Sequence, residues 1–365
     1  MKTFHCEACG NLVFFENVQC VKCGHALGFL PPTGELSALE AADDGTWRPL
    51  AAGSGHQLYR ACLNGRDHRV CNWMVPASDS NPFCVSCRLN QTIPDLSVAG
   101  NQERWYKLEK AKRRIIYTIT KLRLPMASAE NNRPALRFSF LGDVPGGPAV
   151  ITGHENGLIT LNIAEADDDE RERRRVNLHE PYRTLLGHLR HEVAHYYWDR
   201  LLANTVLLGP FRSLFGDETR DYQAALQAYY QHGPPPDWQT RHVSAYASSH
   251  PWEDWAETWA HYFHIVDMVE TAASFGIALK PRHPAARAMT ADPKIALEQD
   301  SNFDALLEQW FPLTYALNAL NRGMGLHDVY PFVLSSPAIE KLRFIHDVVH
   351  ATPAPPISES TYFAK

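Results

Sequence analysis

His191, Glu192 and His195 stand as His-Glu-x-x-His inside the run Leu185 to Leu201. On a helix, two histidines four residues apart lie on one face, one turn apart. Imidazoles so placed can grip one zinc ion. Glu192, projecting beside them, is placed to take a proton from water on that metal. The competing reading is an amphipathic helix whose polar residues face solvent. A second kind of metal chemistry comes from eight cysteines, all within the first 87 residues. In Cys6-Glu-Ala-Cys9-Gly and Cys20-Val-Lys-Cys23-Gly, each turn aims two thiolates at one point, and glycine tolerates the positive φ such turns need. Cys6, Cys9, Cys20 and Cys23 therefore suit one tetrahedral structural zinc. Cys62, Cys71, Cys84 and Cys87 remain for a second such site. Only Cys84 and Cys87 have the knuckle spacing, so Cys62 and Cys71 could instead be buried thiols, or His68 could replace one ligand. A closed four-thiolate site leaves no position for water, so both would be structural.

Composition narrows the setting. With 365 residues, 45% hydrophobic and 21% charged, the chain is long enough for two or three ordered domains. A net charge of -6 argues against a surface built for nucleic acid. The first 100 residues hold 7 Lys/Arg against 9 Asp/Glu, so the cysteine modules favour a protein partner or a purely structural role. No charged start leads into an apolar run, and no stretch of about 18 apolar residues appears. The expectation is a soluble, cytoplasmic protein without membrane contact. In that setting Cys-x-x-Cys pairs bind metal rather than form disulfides.

Certain elements must position these residues. Residues 1–30 read as a zinc ribbon that draws much of its folding free energy from metal. Residues 31–58, rich in Pro, Gly, Ala and acidic residues, read as a linker, and 59–100 as the second four-cysteine module. A helix is expected over Gln102 to Leu122, with Trp105, Leu108, Ala111, Ile115, Ile116 and Ile119 on its apolar face. Lys107, Lys110, Lys112, Arg113 and Arg114 read as its solvated side rather than a nucleic-acid face. Leu136–Leu141 alternates as a strand. Ala149–Thr152 and Gly157–Ile163 flank a turn at His154-Glu-Asn. A free sheet edge beside the metal would hold an extended peptide by strand addition. Ala164–Arg175 reads as an exposed loop or helix start. Glu180-Pro181 opens the metal-binding helix, with proline suited to its first turn. His188, one turn before His191, reads as an ordinary surface or core histidine, with support of the site as the alternative. A further helix, Asp221–Tyr230, ends at Gly233-Pro-Pro-Pro.

A catalytic zinc takes three protein ligands and keeps one position open. After Pro251 one helix is expected, with Trp252, Trp255 and Trp259 sharing a core face. Glu253 and Glu257 lie on another face, with His261 and His264 further along it. A full turn separates the two carboxylates, so a ligand and a residue supporting a ligand account for them. The pairing of His-Glu-x-x-His with Glu-x-x-Ala-Glu-x-aromatic, more than fifty residues later, resembles the gluzincin metallopeptidases, in particular the anthrax lethal factor type of catalytic domain. The resemblance implies that Glu253 binds zinc and Glu257 braces a zinc-bound histidine. It further implies that Tyr246, seven residues before Glu253, lies near the metal and assists the reaction. Substrate-side motifs of thermolysin-like enzymes are absent. The whole chain resembles a bacterial family of zinc-binding metallopeptidases with an N-terminal zinc ribbon. The matching segments are the two knuckles, Phe83–Asn90, Gly157–Asp167, His191–Leu201 and His250–His264, which span most of residues 1–275.

The expected fold is α+β: a small β zinc-ribbon region, then a mostly helical zincin-like domain with a small sheet over 101–275. Residues 276–350 form a helical extension, with helices at Phe303–Asn321 and Pro337–His350, and 351–365 a flexible tail. The expected function is zinc-dependent hydrolysis of a peptide or protein. Three zinc ions are expected, one catalytic and two structural. Glu192 is the general base, Tyr246 an oxyanion partner, Glu257 the brace, and His191, His195 and Glu253 the catalytic ligands. The alternatives are a zinc-ribbon protein-binding module with a vestigial site, and hydrolysis of a non-peptide amide.

Overall fold

The chain divides into two units. Among the described residues, one holds residues 3–174 and the other residues 1–2 and 175–352. The computed structural model describes residues 1–42, 44–52, 56–127, 133–144, 146–177, 182–293 and 302–352. Small sheets come first and helices follow, an α+β arrangement.

In the first unit, strands β1 (Phe4–His5) and β2 (Leu12–Val13) pair antiparallel around the first knuckle. Five more strands form an antiparallel meander: β3 (Ala26–Leu30), β4 (Glu35–Ala41), β5 (Trp47–Pro49), β6 (Tyr59–Ala61) and β7 (Met74–Pro76). This corrects the reading of 31–58 as a linker. Leu30, Leu39, Tyr59 and Met74 pack into one buried cluster, so the Pro- and Gly-rich pieces are tight turns of a sheet rather than slack chain. Helix α1 (Leu63–His68) starts directly after Cys62.

A second, four-stranded sheet has the order β10-β11-β9-β8. Its strands are β8 (Asn90–Thr92), β9 (Arg137–Leu141), β10 (Gly153–Glu155) and β11 (Leu158–Asn162). Parallel β8 and β9 need a crossover, and helix α2 (Asn101–Lys121) supplies it. The hairpin turn sits at Asn156 and Gly157, both at positive φ, and not at His154-Glu-Asn. Asn-Gly suits a turn that requires this conformation twice, so the first strand begins at Gly153 and Ala149–Thr152 is not a strand. The basic run on α2 is also corrected: Lys112 and Arg113 are fully buried. Lys112 Nζ donates to Glu109 Oε1 at 3.0 Å and to Asn90 Oδ1, and Arg113 donates to the Val70 carbonyl. A helix covered on more than one side must pair its charges internally.

The unit boundary falls inside α3 (Asp168–Asn177). In the second unit, α4 (Leu185–Tyr197) is capped by Thr184, whose Oγ1 accepts from the Gly187 amide at 3.0 Å. The expected start at Glu180-Pro181 lies outside the described residues. Helix α4 runs on into a π-helical turn, Trp198–Leu202. Helices α5 (Leu208–Phe215) and α6 (Tyr222–His232) follow, then α7 (Pro251–Ser274), α8 (Phe303–Gly323) and α9 (Ser336–Ala351). Proline opens α7 where its missing N–H costs nothing. Helix α7 is the hub on which α4, α8 and α9 pack. Trp255 and Trp259 are fully buried, Trp255 Nε1 donates to the Ala194 carbonyl at 2.9 Å, and Trp259 stacks on Tyr197. These contacts fix α7 against α4. Buried Lys341 on α9 reaches Asp254 on α7 at 2.5 Å, with His242 3.1 Å from the same carboxylate. No described helix is long and apolar enough to cross a membrane.

Candidate metal centre

Both cysteine sets converge. The sulfurs of Cys6, Cys9, Cys20 and Cys23 lie within 4.8 Å of one another, as do those of Cys62, Cys71, Cys84 and Cys87. Cys6–Cys23 and Cys9–Cys20 are 3.6 Å apart, and Cys71–Cys84 3.7 Å. Sulfurs about 2.3 Å from a tetrahedral zinc stand about 3.8 Å apart, so the donors fit that ion. Burial pushes the Cys84 thiol well up, and the Cys6 thiol to about 12, because crowded sulfurs cannot all ionise without a cation. His68 is not part of the second cluster; its ring packs 5.5 Å from Trp105. The clusters differ in exposure: Cys23 is exposed, whereas all four sulfurs of the second set belong to buried or nearly buried residues.

The third cluster is built by two helices. His191 and His195 project from one face of α4, and Glu253 from the first turn of α7. The two Nε2 atoms are 3.1 Å apart. Glu253 Oε2 is 2.9 Å from His191 Nε2, and its Oε1 is 3.6 Å from His195 Nε2. Ligands about 2.0–2.1 Å from a tetrahedral zinc stand about 3.3 Å apart, so this set also fits. Glu253 Oε2 accepts no hydrogen bond, although it is buried. Burial would hold His191 down, yet its contacts with Glu253 and Glu257 lift it well above its ordinary range, and Glu253 is held well below its own. A pocket of lone pairs and carboxylates calls for positive charge, which a metal ion would supply.

The surroundings orient this set. Glu257 Oε1 is 2.7 Å from His191 Nδ1, which directs the Nε2 lone pair toward Glu253. Ser244 Oγ donates to the other Glu257 oxygen at 2.7 Å. Glu192 is buried but not among the three converging donors; its Oε1 lies 3.2 Å from His188 Nε2. Burial would raise its carboxyl, but the hydrogen bond from His188 and the charges of His191 and His195 outweigh it, so Glu192 lies below its ordinary range and is ionised at neutral pH. Tyr246 sits on a 3-10 turn before α7, its ring 6.0 Å from that of His191. Burial and the Glu253 carboxylate push its phenol up, so it keeps its proton. Trp252, expected in the core, instead lies against His195 with ring centres 4.1 Å apart.

Residues 101–348 match the family described as "putative zinc-binding metallo-peptidase". The chain belongs to that family. Residues 3–98 match a zinc-ribbon domain, which covers both cysteine sets and the segment expected to be a linker. Relatives described as uncharacterized proteins occur in Mycobacterium bovis and Mycobacterium tuberculosis; each is 43% identical over 352 residues, 96% of this chain and 95% of the relative. No solved structure matches.

Two contacts escape the sequence, and a third, at His188, is legible there only as the alternative to an ordinary histidine. His188 pairs with Glu192, Ser244 holds Glu257, and Tyr222 donates to Glu253 Oε1 at 2.7 Å. His188 and Ser244 lie close in sequence to recognised site residues and could have been found by offset. Tyr222, 31 residues before Glu253 on a separate helix, carries no such signal.

Proposed function

We propose that this protein hydrolyses peptide bonds at the centre formed by His191, His195 and Glu253. Bound zinc supplies a Lewis acid where the three donors meet. Glu192, ionised and held by His188, accepts a proton from the attacking water and passes it to the leaving amine. Tyr246 keeps its proton and offers a donor to the developing oxyanion. Glu257, fixed by Ser244, keeps His191 in the tautomer whose Nε2 faces the metal. The cysteine clusters hold two further zinc ions with purely structural roles, and the protein works in the cytoplasm. The observation that carries the reading is the convergence of three donors on a point with no fourth protein ligand among the described residues, beside a carboxylate that is not one of them. Glu192→Gln is expected to leave three zinc ions in place while hydrolysis of an unfolded protein substrate falls at least about a hundredfold. Hydrolysis at the parent rate would overturn the proposal.

A further inference from the structure

Helix α6 is an odd feature of the second unit. None of its 11 residues is buried, so it adds little to the core. Yet its first residue, Tyr222, is half-buried and donates its hydroxyl to Glu253 Oε1 at 2.7 Å. Its ring meets two residues at the start of α7 edge-on: His250, with centres 5.2 Å apart, and Trp252, at 5.7 Å. His250 caps α7 and reaches back to the Arg220 carbonyl at 3.2 Å, just ahead of α6. Trp252 in turn lies against His195. The segment entering α6 is thus tied to the turn of α7 that carries Glu253.

A carboxylate can meet a metal through one oxygen or two. In Glu253 the two oxygens have different surroundings: Oε1 accepts from Tyr222 and stands 3.6 Å from His195 Nε2, while Oε2 accepts nothing and stands closer, 2.9 Å from His191 Nε2. A carboxylate at this contact accepts, so the Tyr222 hydroxyl is the donor. We infer that Tyr222 is a positioning residue for the metal, holding Glu253 by Oε1 so that Oε2 alone is presented and the fourth position stays open. The inference rests on the reading that His191, His195 and Glu253 hold zinc. It gives the two phenols different roles, since Tyr246 faces the reaction and Tyr222 acts only through the ligand it holds.

The test is zinc release from the full chain to a chelator, with the cysteine-bound zincs as internal reference. Tyr222→Phe removes one oxygen atom from a residue outside the core, so the fold should survive. The expected result is about 10–100-fold weaker retention of one zinc, with the other two unchanged. In a Glu253→Ala background, measured at higher added zinc, Tyr222→Phe should change nothing further, because its action passes through Glu253. Equal retention in the parent and Tyr222→Phe would overturn the inference, as would an undiminished effect without Glu253. A parent that binds only two zincs would instead overturn the underlying site reading.

Discussion

The cysteine clusters and the His-His-Glu cluster gather metal donors by different physical means. Cys6, Cys9, Cys20 and Cys23 sit on turns between strands of two to five residues, over a small aromatic cluster of Phe4, Phe15, Phe29 and Trp73. Such short turns would need a bound ion to hold four sulfurs together, and its binding free energy would then be folding free energy. His191, His195 and Glu253 sit on helices of 13 and 24 residues that Trp255 and Trp259 lock together. Core packing holds these three donors in place. Four thiolates would saturate a tetrahedral zinc, whereas three donors would leave one position open for chemistry, as the proposed function requires. The contrast predicts that the two kinds of site respond oppositely to the loss of one donor.

The largest effect is expected at the buried cysteine cluster. Cys84→Ser should lose one zinc and unfold the cysteine-bearing unit, because structural zinc contributes on the order of 10 kcal/mol; near-ultraviolet circular dichroism with metal analysis would read this. A cooperative, parent-like transition after losing that zinc would break the comparison. Next in size is the ion pair beneath Glu253. Lys341→Met takes the lysine cation from the buried Asp254 carboxylate, leaving it His242 and Thr258, and should cost up to about 3–5 kcal/mol of stability in denaturant unfolding, without removing zinc. Acid should act more mildly. Burial holds His261 and His346 down to about 4, whereas in the unfolded chain they titrate near 6.5. Between those values the unfolded state binds more protons, so stability is full above about pH 6.5 and declines as pH falls toward 4. His346→Gln should flatten part of that slope in a series of thermal melts. An unchanged slope would show that other groups set it. The smallest stability change belongs to the open site: His195→Ala should lose one zinc while unfolding stays cooperative and close to the parent.

How much of the site is legible in the sequence follows from how local each signal is. His191 and His195 are legible because an i, i+4 pair is a local pattern. The first knuckles are legible because each pair closes within one turn. Glu253 needs a resemblance, since 58 positions separate it from His195 and no periodicity links the two helices. Strands β4 and β5 escape notice because their short apolar stretches lie among turn residues, so composition masks the pairing. Lys112 and Arg113 read as solvated because a charge run says nothing of what covers it; Glu109, Asn90 and Val70 meet them in the fold. Tyr222 is invisible because a tyrosine at a helix start has no distinguishing neighbours.

The central claim is that one metal ion sits in a catalytic-type site held by His191, His195 and Glu253, apart from the cysteine zincs. Metal analysis of the purified full chain and of Glu253→Ala tests it most directly. The account predicts three zinc ions per chain in the parent and two in the variant, with both cysteine clusters still loaded. Two ions in the parent, or three tightly held ions in the variant, would contradict it.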